Sequence, residues 1–426
     1  MENLERILRD QRNDLMSANM ESLVSRREIA QISLNSPLAQ IVIGVRRSGK
    51  STLCQQAMLT SDVPFAYINF DDDRLSELTS KDFDTLLQAL YHIHGKFTHL
   101  FLDEVQNIPK WELFVNRMLR QGMRIIITGS NANLLSQELS THLTGRYRQI
   151  ELYPFSYQEY CRIHQVDTSA LTTMGIALRE KALNDYLFEG GFPELVYMDK
   201  SDHQSYLQSL FHAIIEKDIC HRYNIRFPEI ITEIAHLLLD EFAQEQSLNT
   251  IMSKSRLQSV HTTQKYLHYI TSSYLVCAVP RFSLKSRERR SICKYYAIDQ
   301  AFISSREDVL QTESLGLRLE NVVAIHLLRH THAQFKQLYY IRKDKEYEID
   351  FMIIDGIHIE ELIQVTYDFT HPSTKQYNRE VMHLVKAAKQ LNCKNLTLVM
   401  MYGDPRDITI DGYVVHCVSA TDYLLQ

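Results

Sequence analysis

The chain has 426 residues, of which 45% are hydrophobic and 23% are charged, so it is long enough for two to four globular domains with sizeable cores. Its net charge of -6 excludes a protein that binds nucleic acid through an overall basic surface and leaves only a local patch for that purpose. Seven scattered cysteines without a C-x-x-C pair argue against a disulfide framework or zinc module and fit a reducing compartment. The sequence contains no run of eighteen apolar residues and no signal peptide, so we expect a cytoplasmic protein without membrane contact.

The first predicted elements lie in residues 1–34. Apolar residues recur there among charged ones at helical spacing, which predicts N-terminal amphipathic helices. We expect these helices to pack on the domain that follows them.

A glycine-rich segment, Gly44-Val-Arg-Arg-Ser-Gly-Lys-Ser-Thr52, follows the apolar run Ile41–Ile43 and precedes a predicted helix. The pattern G-x-x-x-x-G-K-[ST] between a strand and a helix is typical of a phosphate-binding P-loop. In such a loop Lys50 reaches the β and γ phosphate oxygens, Ser51 ligates magnesium, and the helix dipole favours the anion. The predicted nucleotide-binding residues are Gly44, Arg46, Arg47, Ser48, Gly49, Lys50, Ser51 and Thr52.

A second apolar run, His99–Leu102, ends in two carboxylates, Asp103 and Glu104. This pattern follows the P-loop by some fifty residues and is typical of a Walker B strand. Asp103 is predicted to hold magnesium through water, and Glu104 to polarise the attacking water.

A third apolar run, Arg124–Thr128, ends in Gly129-Ser130-Asn131. Such a polar strand end sits between the other two motifs, where Ser130 or Asn131 could orient the water; the alternative is a helix N-cap for residues 132–135. Gly145-Arg146-Tyr147-Arg148 comes next, and either arginine could stabilise phosphate charge in cis or across a subunit boundary. The alternative is a plain surface arginine.

The alternation of strands and helices predicts a parallel α/β sheet with nucleotide at the carboxyl ends of its strands, over residues 35–155. The carboxylate pair points to an ATPase rather than a nucleotide kinase. Adenine is not distinguished from guanine by the residues themselves, although no N-K-x-D motif is apparent.

These motifs resemble those of a prokaryotic family of AAA-type ATPases that carry a second, poorly characterised C-terminal region. The resemblance continues into Glu189-Gly-Gly-Phe-Pro-Glu194 and Lys217-Asp-Ile-Cys-His-Arg-Tyr223, so it covers nearly the whole chain. It implies a P-loop NTPase core that binds ATP, and it implies an architecture more than a substrate.

Two further segments precede the C-terminal region. Residues 156–227 read as helices broken at Gly190-Gly191 and Pro193, which predicts a helical lid over the nucleotide. The order of predicted helices and strands in residues 228–305 is typical of a winged-helix domain, with a recognition-type helix at 262–274. A basic tip at 285–290 could contact the backbone of double-stranded DNA; the alternatives are a protein contact or a solvated hairpin tip.

Residues 306–426 place an acid on a helix, an aspartate on one strand and Gln364-x-Thr366 on the next. This layout is that of restriction-endonuclease-like folds, which the C-terminal region of the resembled family also resembles. In those folds the acids hold magnesium, which activates water for attack on a phosphodiester. Carried over, Glu320, Asp350 and Gln364 fall on the metal-side positions. Thr366 stands where the pattern has lysine, which favours a degenerate centre used for docking.

The sequence thus predicts an α/β protein: a P-loop NTPase parallel sheet with helical lid, winged-helix domain and C-terminal α/β restriction-endonuclease-like domain. The predicted activity is magnesium-dependent ATP hydrolysis coupled to the C-terminal half. The alternatives are a nucleotide-gated DNA nuclease and an ATP-binding switch or scaffold with slow turnover. A protein client and an oligomer are both compatible with the sequence, which identifies neither.

Overall fold

The computed structural model describes residues 2–17, 23–130, 145–283, 292–306, 315–343 and 346–426. Contacts divide the chain into two compact units, Met1–Leu152 and Tyr153–Gln426. Helices and strands are numbered below in chain order over the described residues. None of the helices in these ranges is long and apolar enough to cross a membrane.

The first unit is an α/β layer structure. Its three inner strands, Ala39–Ile43, His99–Asp103 and Arg124–Gly129, are short and almost wholly buried, as expected of parallel strands covered on both faces. The helices are α1 (Glu2–Ser17), α2 (Lys50–Leu59), α3 (Phe83–His94) and α4 (Trp111–Arg120), and the strands are β1 (Ala39–Ile43), β2 (Phe65–Asn69), β3 (His99–Asp103), β4 (Arg124–Gly129) and β5 (Tyr147–Glu151).

The strand order is β2-β3-β4-β1-β5, and every neighbouring pair is parallel. The parallel α/β sheet predicted from the sequence is therefore confirmed. β4 lies between β1 and β3, so its carboxyl end lies between the P-loop and the Asp103 strand end, as predicted. The nucleotide motifs meet at one edge of the sheet because the carboxyl ends of parallel strands share that edge.

The N-terminal helix α1 packs on its own unit, against α3 and β2. Ile7, Leu8 and Leu15 are buried on its inner face. Gln11 is also buried, and its amide donates to Asn69 O (3.0 Å) and Asp72 Oδ2 (2.9 Å). The amphipathic pattern at the start of the chain thus covers the β2 side of the sheet.

The second unit begins with helices and continues into a helix-and-strand segment. The first three helices are α5 (Tyr157–Ile163), α6 (Thr173–Glu189) and α7 (Lys200–Ala213), and α7 continues as a π-helix over Ile214–His221. The next elements are α8 (Pro228–Asp240), β6 (Glu245–Ser247), α9 (Leu248–Lys254), α10 (Val260–Ser272), β7 (Val276–Pro280), β8 (Ile292–Ala297) and α11 (Gln300–Ser304).

The break at Gly190-Gly191 is a close approach of three backbone segments. Asp299 is buried there and accepts from the backbone N–H groups of Gly191 (2.8 Å) and Ala301 (2.9 Å). A Cβ at Gly190 would lie 1.8 Å from Asp299 Oδ1, and one at Gly191 would lie 2.2 Å from Phe155 O. Packing therefore requires glycine at both positions of the Glu189–Glu194 segment.

The C-terminal part of the second unit is a six-stranded mixed sheet in the order β13-β14-β12-β11-β10-β9. Its core includes the inner faces of β10, β11 and β12 and the apolar face of α14. The helices are α12 (Leu315–Ala333), α13 (Thr374–Tyr377), α14 (His383–Leu391) and α15 (Ala420–Tyr423), and the strands are β9 (Gln337–Lys343), β10 (Tyr347–Asp355), β11 (His358–Asp368), β12 (Leu396–Tyr402), β13 (Arg406–Ile410) and β14 (Tyr413–Ser419).

Candidate functional site

The P-loop joins β1 to α2 and closes around its own lysine. Lys50 is buried at the first turn of α2, and its Nζ donates to Gly44 O (3.2 Å) and Val45 O (3.0 Å). Gly49, which precedes the helix, has φ 91°, a conformation that favours glycine. Ser48 is buried, whereas Arg47 is exposed and Arg46, Ser51 and Thr52 are partly exposed.

Gly44 opens the loop for a steric reason. It has φ 151°, and a Cβ there would lie 2.0 Å from Leu152 O. The chain leaving β5 passes this close because Leu152 N donates to Ile43 O at 2.7 Å. Only glycine fits between the P-loop and the end of β5.

The end of β3 is tied directly to the P-loop. Ser51 Oγ donates to Asp103 Oδ1 at 2.7 Å, and Thr128 Oγ1 donates to the same oxygen. Tyr67 OH lies 3.3 Å from Asp103 Oδ2. Thr128 Oγ1 also accepts from the backbone N–H of Glu104 at 2.9 Å. One buried threonine hydroxyl therefore fixes both residues of the carboxylate pair.

The charge of Asp103 is held in an unfavourable environment. Burial, and after it the neighbouring charge of Glu104, raise the pKa of Asp103 to about 6. Hydrogen bonds from Thr128 and Ser51 and the charge of Lys50 oppose this rise. A cation beside Asp103 would favour the ionised form, so this carboxylate would gain more from a metal than an exposed one.

Glu104 adopts a backbone conformation that is unusual for its side chain. Its φ of 50° lies in the left-handed region, which costs a non-glycine residue free energy. Gln106 Nε2, two residues later in the same turn, donates to Glu104 Oε2. The second carboxylate is thus positioned by local geometry rather than by strand extension.

The other sequence-predicted residues of this site have different positions. Ser130 is buried directly after β4, next to the strand ends that carry the site, while Asn131 and residues 132–135 lie outside the described residues. Arg146 and Arg148 lie at the start of β5, where Ala39 N donates to Arg146 O (2.9 Å). The amino-terminal ends of the strands lie here, roughly 15–20 Å from the P-loop, which follows the carboxyl end of β1, at about 3.3 Å per strand residue. The expectation of an arginine acting in cis is therefore not supported by the geometry.

Two residues of the site were missed by the sequence reasoning. Thr128 was assigned to the strand, although it makes the contacts expected of the polar residue after it. Arg26 lies in the segment assigned to amphipathic helices, yet it is buried and its NH1 donates to Ser48 O at 3.2 Å. A threonine before a Gly-Ser strand end was a usable signal, whereas nothing in the sequence around Arg26 placed it at the P-loop.

A second polar centre lies within the Tyr153–Gln426 unit. It lines a cavity of about 890 Å³ and joins α12, β8, β10 and β11. Lys294 Nζ lies 3.0 Å from Glu320 Oε1, 3.3 Å from Glu348 Oε1 and 3.5 Å from Asp350 Oδ1. Tyr296 OH donates to Glu320 Oε1 at 2.8 Å. The structure thus brings Glu320 and Asp350 to one centre and adds a lysine that the sequence reasoning did not place there.

The β11 positions of this centre are neutral. Gln364 Oε1 accepts from Asp350 N at 3.3 Å, and Asp350 Oδ2 accepts from Val365 N at 3.0 Å. Thr366, at the position where the pattern has lysine, accepts from Gln376 Nε2 at 3.3 Å. The cation of the centre therefore comes from β8 rather than from β11, and its spacing from Asp350 in the chain gave no signal.

Burial dominates the electrostatics of this second centre. It raises the pKa of Glu320 to about 7 against the charge of Lys294, and it raises the pKa of Asp350 above its ordinary value. Burial alone would lower the pKa of Lys294, but the charges of Glu320, Asp350 and Glu348 outweigh it and raise the pKa. Within the described ranges, no group of three or more His, Cys, Asp or Glu residues is arranged to hold a metal ion.

Comparisons with known proteins agree with the class of the first unit. Residues 36–161 match a family model described as an AAA domain, and residues 180–313 match one described as a domain of unknown function (DUF8612). Together with the parallel sheet and its P-loop, the first match defines an AAA-type P-loop ATPase-like domain.

The chain is 30% identical over 410 residues to the uncharacterized protein MJ1544 of Methanocaldococcus jannaschii, covering 93% of this chain and 90% of that protein. It belongs to the same family as that archaeal protein. It is also 27% identical over 426 residues to an uncharacterized protein of Haemophilus influenzae, covering 95% of this chain and 100% of that protein.

Two solved structures are similar at low identity. The Walker-type ATPase PABY2304 of Pyrococcus abyssi is 16% identical with a TM-score of 0.44, covering 67% of this chain and 96% of that one. The ORC1 protein of Aeropyrum pernix, in complex with DNA, is 10% identical with a TM-score of 0.31, covering 69% of this chain and 95% of that one.

Proposed function

We propose that the protein binds ATP at the P-loop and hydrolyses it with magnesium, and that the nucleotide state is passed to the C-terminal half. The observation that carries this proposal is the contact between Ser51 Oγ and Asp103 Oδ1 at 2.7 Å. It brings a P-loop hydroxyl and a strand-end carboxylate together beside Lys50. These are the two oxygen ligands that P-loop ATPases offer to magnesium.

Each residue has a defined task in this proposal. Lys50 exchanges the carbonyls of Gly44 and Val45 for phosphate oxygens, since these are the acceptors its ammonium already uses inside the loop. The backbone N–H groups from Gly44 to Thr52, at the N-terminus of α2, bind the phosphates. Glu104 orients the attacking water and accepts its proton.

The donor set at the end of β3 fits magnesium. A carboxylate and a hydroxyl oxygen are hard ligands, and magnesium is held in such sites by one or two protein oxygens together with substrate phosphates. Ser51 and Asp103 would hold the ion, which when bound neutralises charge on the phosphates. Thr128 keeps Asp103 in place by donating to the carboxylate oxygen that Ser51 also contacts.

The test separates binding from turnover. Glu104→Gln keeps the size of the side chain and one of its acceptor oxygens but removes the base, so ATP should bind with unchanged affinity while hydrolysis falls to the background level. The measurement is the binding of a fluorescent ATP analogue beside phosphate release. Turnover that survives in Glu104→Gln would show that the base is misassigned and favour a switch that turns over slowly by another route.

For residues 228–305 we propose a winged-helix segment that contacts double-stranded DNA. Three observations support this. The elements from α8 to β8 follow the order helix, strand, helix, helix, strand, strand. Residues 246–287 contain six Lys or Arg and no Asp or Glu, in a chain with 52 acids. The outward face of α10 exposes His261, Gln264, Lys265 and His268, at helical spacing and without a carboxylate. The basic tip at 285–290 lies outside the described residues.

A charge reversal tests this contact. Lys265→Glu should weaken binding of a fluorescent DNA duplex at least tenfold and lower the salt dependence of binding, because a phosphate contact releases counterions. Lys394→Glu, an exposed lysine of the six-stranded sheet domain, is the matched control with the same change in net charge. Equal losses in both variants would show that only net charge matters and would count against α10.

Nuclease activity, the rival candidate, is disfavoured by the second centre. Lys294 contacts the same carboxylates that a metal would need, and Gln364 and Thr366 supply neither a carboxylate nor a cation. We therefore expect no magnesium-dependent nicking of plasmid DNA in any nucleotide state. Nicking by the wild type that is lost in Asp350→Ala would support the nuclease hypothesis.

A further inference from the structure

The turn that follows β3 is fixed to its neighbours on both sides of the proposed base. Thr128 Oγ1 accepts from the backbone N–H of Glu104 at 2.9 Å. Asn107, at the far end of the turn, donates from Nδ2 to Phe70 O at 3.1 Å, directly after β2. Val105 between them is buried. These contacts hold the backbone of the turn, but none of them reaches the carboxylate of Glu104.

The carboxylate itself is engaged by Gln106. Its Nε2 donates to Glu104 Oε2 from within the same turn. The opposite orientation of the amide would place its carbonyl oxygen against the carboxylate, so hydrogen bonding selects the orientation that points N–H at Glu104. One carboxylate oxygen is thereby held, which leaves Oε1 of Glu104 as the acceptor for a water molecule.

This contact has a cost to stability. Gln106 Oε1 is buried, and no hydrogen-bond donor reaches it from the described part of the chain. A buried amide oxygen without a donor is destabilising, and an aliphatic or thioether side chain of the same length would avoid it. Buried polar groups left unsatisfied in folded proteins are often kept for catalysis. The contact with Glu104 is what the amide provides in return.

We propose that Gln106 is a positioning residue for the general base: its amide fixes the carboxylate of Glu104 so that the second oxygen faces the attacking water. The inference rests on the proposed ATPase function and adds a residue to it. Gln106 bonds to the base and not to Lys50 or Asp103, so it acts on the chemical step rather than on nucleotide binding.

Gln106→Met tests the proposal, because it keeps the length of the side chain and removes both the N–H donor and the unsatisfied oxygen. A loss of alignment at the reacting centre should lower kcat about 10- to 100-fold. The KM for ATP should stay within twofold, and Tm should be unchanged or higher. Gln121→Met, at an exposed glutamine directly after α4, is the matched control and should change none of the three.

Gln106→Glu gives a second readout that a purely structural role would not produce. At neutral pH the introduced carboxylate repels Glu104, whereas in its protonated form it donates to Glu104 as the amide did. The rate of this variant relative to wild type should therefore rise as the pH falls, while the relative rate of Gln106→Met stays flat. Dividing by the wild-type rate at each pH removes the titration of the neighbouring Asp103, whose pKa is about 6.

Each result separates this inference from the ATPase proposal. Wild-type turnover with a Gln106→Met kcat within twofold of it would overturn the positioning role alone, and so would a faster Gln106→Met, which would make the contact inhibitory. A slower Gln106→Met with a lower Tm, beside a flat relative rate for Gln106→Glu, would reduce Gln106 to a structural residue. A wild type without magnesium-dependent turnover would overturn both proposals.

Discussion

Thr128 is the residue whose removal should most clearly separate the position of the carboxylate pair from nucleotide binding. Thr128→Val is nearly isosteric, and it removes one hydroxyl that donates to Asp103 and accepts from Glu104 N. A hydrogen bond to a charged group contributes about 1.5–3 kcal/mol. If that stabilisation is fully expressed in the transition state, kcat falls about 10- to 150-fold.

The affinity for ATP should change little, because Thr128 contacts neither Lys50 nor the loop backbone in the described structure. The assay is steady-state phosphate release at saturating magnesium, with ATP affinity measured separately. Thr128→Ser restores the hydroxyl and should recover most of the activity. A kcat for Thr128→Val within twofold of wild type would refute the view that this hydroxyl positions the pair, and a large loss of ATP affinity would show that it supports the whole loop instead.

Two further predictions concern the fold and the arginines. Gly191→Ala places a Cβ 2.2 Å from Phe155 O and should destabilise the second unit by about 1–3 kcal/mol. Gly316→Ala, the control, meets nothing within 4 Å and should leave stability unchanged or raise it by up to about 1 kcal/mol. Thermal melts compare the two variants, and equal melting temperatures would contradict the packing argument. Arg146→Ala should leave turnover unchanged in dilute protein, because Arg146 lies at the amino-terminal end of β5, away from the P-loop. It should lower turnover only if subunits associate and the arginine acts on a neighbouring subunit, in which case turnover rises with protein concentration. A loss that is independent of concentration would contradict this placement.

The sequence was most informative where a motif coincides with an element boundary. Gly44–Thr52 and Asp103-Glu104 lie at the carboxyl ends of strands. A parallel sheet places all of these ends on one side, so the sequence could predict that the two motifs lie close together. Thr128 was overlooked because it reads as the last residue of a buried strand, and its role depends on the strand order β3-β4-β1. Only the register of the strands places its hydroxyl beside Asp103 Oδ1 and Glu104 N.

The second centre shows what a linear pattern omits. Glu320 and Asp350 were placed from helix and strand patterns, but the cation of the centre is Lys294, from a different sheet and 26 residues before Glu320 in the chain. Contacts between sheets depend on tertiary packing, so no local periodicity predicts them.

The wild-type rate of ATP hydrolysis, measured with magnesium beside Lys50→Ala, tests the central claim most directly. The account predicts phosphate release by the wild type that requires magnesium and is absent in Lys50→Ala, because the ammonium that Gly44 and Val45 now hold is the group that binds the phosphates. Wild-type hydrolysis no faster than that of Lys50→Ala would contradict it and leave a nucleotide-binding switch as the function of the first unit.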